Sequence, residues 1–131
     1  MKLISIAAAV FTAAADLMIK DVMSELSPGE VIYNKGFAAN RLDSHPRLVA
    51  IVSAAVTAVC AGALLSNKSH PGEDLANGLI LGGALSNTSE RIARGKVTDY
   101  IPLGKYVYNI GDFAIYAGCL IKLVVSFLFK R

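Results

Sequence analysis

The sequence has no tryptophan, only two cysteines and four prolines in 131 residues, and charged side chains make up 18% of it. Each shortage excludes something. Cys60 and Cys119 cannot staple a disulfide scaffold, which takes several bridges. Soluble domains carry about 25% charged residues, so a chain this poor in charge is unusual for one. Disorder is excluded as well, because 54% of the residues are hydrophobic and such a chain buries its apolar surface. The net charge is +3, but Lys and Arg are scattered, and no run of them forms a nucleic-acid patch. His45 and His70 stand alone, each beside a proline, with no HxxH or Cys/His spacing for a metal. There is no GxSxG, no P-loop and no GxGxxG after a strand. Neither a metal nor a cofactor is expected.

What remains is long apolar runs. A transmembrane helix needs about 20 mostly apolar residues, and four stretches qualify as spans, near residues 3–19, 48–66, 75–91 and 111–129. The second is uncharged, and the third is short and rich in small residues. The first also has the form of a signal peptide, with Lys2, an apolar core and Ala13-Ala14-Ala15. Three further spans follow it, and Asp16 and Lys20 suit a retained helix better. The expected fold is an all-α membrane protein, one domain over 1–131, with four transmembrane helices and a small extramembrane β element. That element is Glu30-Val31-Ile32-Tyr33, which reads as a short strand, with a tight turn at Asn34-Lys35-Gly36. Pro71 and Gly72 lie in the short connection that makes spans two and three antiparallel neighbours.

Four spans put both long connections on one side of the membrane and both termini on the other. Cytoplasmic segments are enriched in Lys and Arg. The side with the termini holds Lys2, Lys68, Lys130 and Arg131. The opposite side holds Lys20, Lys35, Arg41, Arg47, Arg91, Arg94, Lys96 and Lys105. Simple counting therefore places the termini outside, unless acidic partners in the long connections offset those charges.

Ionisable groups inside a membrane are costly and mark functional candidates. Asp16 and Lys20 lie four apart on one helical face, which suits either an anchoring ion pair or a site. Gly78 and Gly82 form a small-xxx-small surface for close helix packing. Asn87 and Arg91 follow, four residues apart, where polar capping of a helix end is the simpler explanation. Asp99 lies just beyond the third span. Asp112 opens the fourth, three residues after Asn109, where an N-terminal carboxylate is favourable in any helix. Singly, these two are ordinary. Together they are carboxylates at one membrane surface, on helix ends that a folded connection can join. Two carboxylates in contact share one proton, so that one activates water and the other polarises a carbonyl.

The order of these motifs resembles signal peptidase II, the prolipoprotein signal peptidase family of bacteria. The first-helix Asp-x-x-x-Lys of that family matches Asp16 and Lys20. Its Asn-x-Gly-x-Ala matches Asn34, Gly36 and Ala38. Its Gly-Gly-Ala-Leu-x-Asn-x-x-x-Arg matches Gly82 to Asn87 and Arg91. Val97-Thr98-Asp99 and Asn109 to Asp112 match the segments that supply its two catalytic aspartates. Four positions depart from the pattern: Leu17 stands for Gln, Ala39 for an aromatic, Ser86 for Gly and Glu90 for Asp.

The resemblance implies an intramembrane aspartyl endopeptidase with Asp99 and Asp112 as catalytic residues. Asp16, Lys20, Asn34, Gly36, Asn87, Arg91 and Asn109 would bind substrate or support the site. It implies diacylglyceryl-modified prolipoproteins as substrates, membrane lipids as surroundings and a monomer. The location implied is the bacterial inner membrane, with the termini in the cytoplasm and the site at the outer face, against the charge count. The alternative is a silent membrane paralogue that binds lipoproteins or signal peptides without cutting them.

Overall fold

The structure, a computed structural model, describes residues 2–35, 44–66 and 70–129. The apolar runs form the helices α1 (Lys2–Leu26), α2 (Pro46–Ser66), α3 (Pro71–Arg94) and α4 (Ile110–Leu128). Four short strands lie between them: β1 (Ile32–Asn34), β2 (Val97–Asp99), β3 (Ile101–Leu103) and β4 (Tyr106–Tyr108). α1, α2 and α4 are long and apolar enough to cross a membrane. α3 is long enough but too polar for the same test. It is the central helix and packs on each of the other three, which hide its polar side chains.

The distribution of side chains is inverted relative to a soluble domain. Large apolar groups point outward along the helices, with Phe11 on α1 76% exposed, Val59 on α2 72% and Phe127 on α4 75%. Ser5, Asp16, Lys20, Asp74, Ser86 and Asn109 are buried instead. Lipid is as apolar as leucine, so burying leucine between helices gains nothing there, and close packing and hydrogen bonds hold the bundle instead. The chain is an integral membrane protein of four helices with small antiparallel strand pairs.

Glycine decides how closely the helices meet. A Cβ on Gly78 would lie 2.5 Å from the Ser5 carbonyl oxygen, and one on Gly82 2.6 Å from the Ala9 carbonyl oxygen. These are backbone contacts between α3 and α1, and neither can yield locally. Gly82→Leu therefore lowers the thermal unfolding midpoint in detergent sharply, since overpacking of even a few methylenes costs about 1–3 kcal/mol. An unmoved midpoint would contradict this contact.

The short turn between α2 and α3 includes residues outside the described ones, but their pairing is antiparallel. Ser53 meets Arg91 and Thr57 meets Thr88, so one index rises as the other falls. His70 caps α3, accepting from the Gly72 N–H through Nδ1 at 3.1 Å. At its other end Gly95, with φ 72°, closes the helix in a left-handed turn and sends the chain into β2.

The strand expected over residues 30–33 forms as β1 over Ile32–Asn34, so Asn34, expected in the turn, is the strand's last residue. The strand pairs with β2, not with a neighbour in sequence, placing Ile32 opposite Asp99 and Asn34 opposite Val97. Gly36, Ala38 and Ala39 lie outside the described residues, and so does the end of the expected tight turn. β3 and β4 form a hairpin, closed by Gly104 at φ 64°.

Of the basic residues in that count, Lys20 is paired with Asp16 and Glu90, and Arg94 with Asp21 and Glu90.

Candidate active site

α3 presents a different polar set to each neighbour because its side chains recur every four residues. Gly78, Gly82, Ser86 and Glu90 form one stripe toward α1. Gly83 and Asn87 face α4. Thr88 and Arg91 reach α2. Gly83 matters locally, because a Cβ there would lie 2.9 Å from an Ile115 side-chain carbon and hard against the Gly111 carbonyl. The close approach brings Asn87, one turn further along, beside the start of α4.

At this level a buried polar network joins the helices. Lys20 is 1% exposed. Its ammonium sits 3.0 Å from Asp16 Oδ2 and 3.2 Å from Glu90 Oε1. It also donates to Asn87 Oδ1 at 2.9 Å and Ser86 Oγ at 3.1 Å. Asp16 is fully buried. It accepts from Ser86 Oγ at 2.6 Å and from the Tyr100 hydroxyl at 2.7 Å. Glu90 accepts from the Thr98 N–H at 2.8 Å and from the Thr98 hydroxyl, which docks β2 on α3. Every charge here has an opposite charge or several donors, the condition under which buried ions are tolerated.

The two candidate carboxylates lie at the edge of this network. Asn109 links them. Its Nδ2 donates to Asp99 Oδ1 at 2.9 Å, and its backbone N–H donates to Asp112 Oδ2 at 3.0 Å. Asn109 Oδ1 accepts from the Asp112 N–H at 2.8 Å in a capping box that starts α4. Asn87 Nδ2 donates to Asp112 Oδ1 at 3.1 Å, and Asn87 Oδ1 accepts from Asn109 Nδ2 at 3.1 Å. Asp99 therefore comes from a strand and Asp112 from a helix N-terminus, with one asparagine between them. A cleft of about 190 Å³ opens beside Asp99, lined by Ile32, Tyr33, Asn34, Lys105, Tyr106 and Val107.

Burial pushes the Asp99 carboxyl up to about 7, and the nearby Asp112 carboxylate adds to the rise. Hydrogen bonds from Asn109 and Asn34 and the charge of Lys20 work in the opposite direction. Near neutral pH, Asp99 thus spends a large share of its time protonated.

Of the residues singled out from sequence, Asp16, Lys20, Asn34, Asn87, Asn109, Asp99 and Asp112 are brought together. Gly36 lies outside the described residues. Arg91 is placed to one side. Its Nη1 reaches Ser53 Oγ on α2 at 3.3 Å, and it borders a groove of about 630 Å³ between α2 and α3. Its charge still acts on Asp112 and Asp99.

Sequence reasoning did not place Ser86, Glu90, Thr98 or Tyr100 in the network. Ser86 and Glu90 continue the four-residue stripe of Gly78 and Gly82, a signal that could have found them. Nothing local marks Tyr100. Among the described residues, no group of three or more His, Cys, Asp or Glu is arranged for a metal.

Comparison with known proteins bears on the fold and the family. A solved bacterial membrane enzyme superposes with a TM-score of 0.80 at 21% identity, covering 97% of this chain and 91% of that one. A second does so with a TM-score of 0.78 at 20% identity. These share the fold. By sequence, the lipoprotein signal peptidase of Geobacillus kaustophilus is 33% identical over 104 residues, 73% of this chain and 66% of its own length. That of a Methylobacterium species is 32% identical over 96 residues, 67% of this chain and 58% of its own length. That of Syntrophomonas wolfei is 43% identical over 63 residues, 47% of this chain and 42% of its own length. The matched segments thus span about half the length of these curated relatives. The family described as signal peptidase (SPase) II matches residues 6–129, nearly the whole chain, and the chain belongs to that family.

Proposed function

We propose that this protein is an aspartyl endopeptidase of the membrane, which removes the signal peptide from diacylglyceryl-modified prolipoproteins with Asp99 and Asp112 as its catalytic pair. The observation that carries the reading is the joining of these two carboxylates by Asn109, with Asp99 lining a cleft. The names of the related proteins support the substrate class.

Such a pair works with one proton between two groups. The ionised carboxylate takes a proton from water as the water oxygen attacks the scissile carbonyl carbon. The protonated carboxyl gives its proton to the carbonyl oxygen, forming a tetrahedral diol. On collapse the C–N bond breaks, the leaving nitrogen receives a proton from the carboxyl that first took one, and a diol hydroxyl gives its proton to the other carboxylate as the new C=O forms, which restores one proton between the two groups. Asn87 and Asn109 hold the carboxylate oxygens so that this exchange needs no rearrangement. Asn34, whose side chain hydrogen-bonds Asp99, lines the cleft. Asp16 and Lys20 support the network beneath, and Arg91 adds positive charge from the α2 side. The site belongs at the outer face of the bacterial inner membrane, with both termini in the cytoplasm, and the protein works as a monomer surrounded by lipid.

The test is a gel shift of a lipid-modified prolipoprotein incubated with the purified protein in detergent. Cleavage of the lipidated form supports the reading. No cleavage of any lipidated substrate favours a paralogue that binds signal peptides without cutting.

The pH dependence follows from Asp99. Its carboxyl titrates at about 7 in the folded protein, above its ordinary value. Its contribution to stability is therefore complete at low pH and is lost as pH rises through about 7. Activity needs one shared proton, so kcat/KM falls as pH rises past the same point. A rate that is flat from about pH 5 to pH 9 would contradict the shared-proton chemistry.

A further inference from the structure

Tyr100 follows Asp99 directly and is buried, with 7% of its surface exposed. Its backbone N–H donates to the Tyr108 carbonyl at 2.9 Å, which seats it beside the β3–β4 hairpin. Its hydroxyl does two things at once. It donates to Asp16 Oδ1 on α1 at 2.7 Å and accepts from the Ile110 N–H at 3.1 Å. Ile110 is the first residue of α4, and its N–H has no partner within the helix. Asp112 lies two residues further on.

Asp16 is a fixed anchor for this bond. Its other oxygen is held by Ser86 Oγ and by Lys20. The first turn of α4 also has no slack against it, since a Cβ on Gly111 would lie 2.7 Å from Asp16 Oδ2. Burial first, and the Asp16 carboxylate after it, raise the Tyr100 phenol above its ordinary value. The hydroxyl therefore keeps its proton and remains a donor across the working pH range.

We propose that the Tyr100 hydroxyl is a positioning group that sets the spacing of Asp99 and Asp112 by tying the segment after Asp99 both to α1 and to the first turn of α4. This rests on the reading of those two aspartates as the catalytic pair. Tyr100 touches no reacting atom. Asn109 bridges the carboxylates directly, and Tyr100 fixes the two backbones that carry them. Without its hydroxyl, Asp16 loses a donor and Ile110 loses an acceptor, which leaves Asn109 as the side chain that ties Asp99 to the start of α4. A misplacement of about 1 Å costs up to about a hundredfold in rate.

Two variants break the tie from opposite ends. Tyr100→Phe removes the hydroxyl and keeps the ring. Ile110→Pro removes the N–H at the first helical position, where proline is tolerated. Asn109 before it is already extended, with φ −129° and ψ 171°, close to the backbone that a following proline requires. Both, and the double variant, are assayed for kcat and KM on a lipid-modified prolipoprotein in detergent across pH.

Each single variant should lower kcat roughly tenfold or more with KM little changed, and the double variant should be no worse than the weaker single one. The basic limb of the pH profile should also move to lower pH. Asp99 is faced by Asp112 and Tyr116 from α4, Lys20 from α1, Arg91 from α3 and Lys105 across the cleft from the hairpin, and relaxing the spacing weakens the repulsion from Asp112. A merely structural role would reduce the folded fraction and leave that limb in place. If Tyr100→Phe does not fold, Ile110→Pro decides alone. Wild-type kcat and an unmoved limb in the variants overturn the proposal while leaving the peptidase reading intact. A wild-type protein that cuts nothing overturns both.

Discussion

Asp99→Asn and Asp112→Asn each abolish cleavage of a lipid-modified prolipoprotein while leaving the protein folded and inserted. Asparagine keeps the size of the side chain. In place of Asp99 it still meets Asn109 Nδ2 through its own carbonyl oxygen, and in place of Asp112 it still accepts the backbone N–H that starts α4. What it loses is the capacity to take and give a proton. The shared proton needs two carboxyl groups, so either change removes the whole function. Groups that act as a unit give non-additive losses. The Asp99→Asn/Asp112→Asn double variant is thus hardly slower than either single one. The gel shift reads all three, with unfolding midpoints as the check on folding. A single variant that cuts at near wild-type rate would remove the aspartyl mechanism for this protein.

Lys20→Met destabilises the protein by about 3–5 kcal/mol, the usual cost of removing one partner from a buried ion pair. Lys20 faces two carboxylates, Asp16 and Glu90, both buried. Methionine fills most of its volume, so the loss is electrostatic and not a cavity. Asp16 keeps its two hydroxyl donors and Glu90 keeps Thr98 and Arg94, but the charge at the centre is gone. Glu90→Gln in the Lys20→Met background recovers part of the stability, because it removes one of the two carboxylate charges that faced Lys20. Unfolding in detergent measures both variants. Equal stability of Lys20→Met and wild type would show that the network carries no net weight.

The two expectations differ in what they probe. Asp99 lines a cleft and is joined to Asp112 by Asn109, so in the proposed reading loss of charge at either stops chemistry and spares the fold. Lys20 stands below them, where loss of charge reaches the fold itself. Rate and stability are therefore separable by position within one connected set of hydrogen bonds.

Much of the fold was legible from local pattern. Apolar runs of spanning length mark α1, α2 and α4 in the sequence, because hydropathy over about 20 residues is a local property. The Gly78 and Gly82 pair marked a helix contact for the same reason, since only small residues let backbones approach. α3 was the least legible span. Its polar residues look exposed until three neighbours cover them. The hairpin of β3 and β4 was not anticipated. The strand β1 was, but not its partner, because Ile32 and Asp99 are brought together only by the folding of α2 and α3 between them.

The candidate site divides in the same way. Ionisable and polar residues near the span ends pointed to Asp16, Lys20, Asn87, Arg91, Asn109, Asp99 and Asp112, and the order of motifs added Asn34 and Gly36. Helical spacing by itself puts Asp16 beside Lys20, and the two meet at 3.0 Å. Tertiary structure decided which partners these residues take. Lys20 meets Ser86 across 66 positions, Ser86 meets Asp16 across 70, and Tyr100 meets Asp16 across 84. Arg91, one turn from Asn87, reaches the α2 side while Asn87 reaches α4. A sequence determines periodicity and hydropathy residue by residue. Which buried charge neutralises which depends on three helices meeting at glycine contacts, and those distances exist only once the chain has folded.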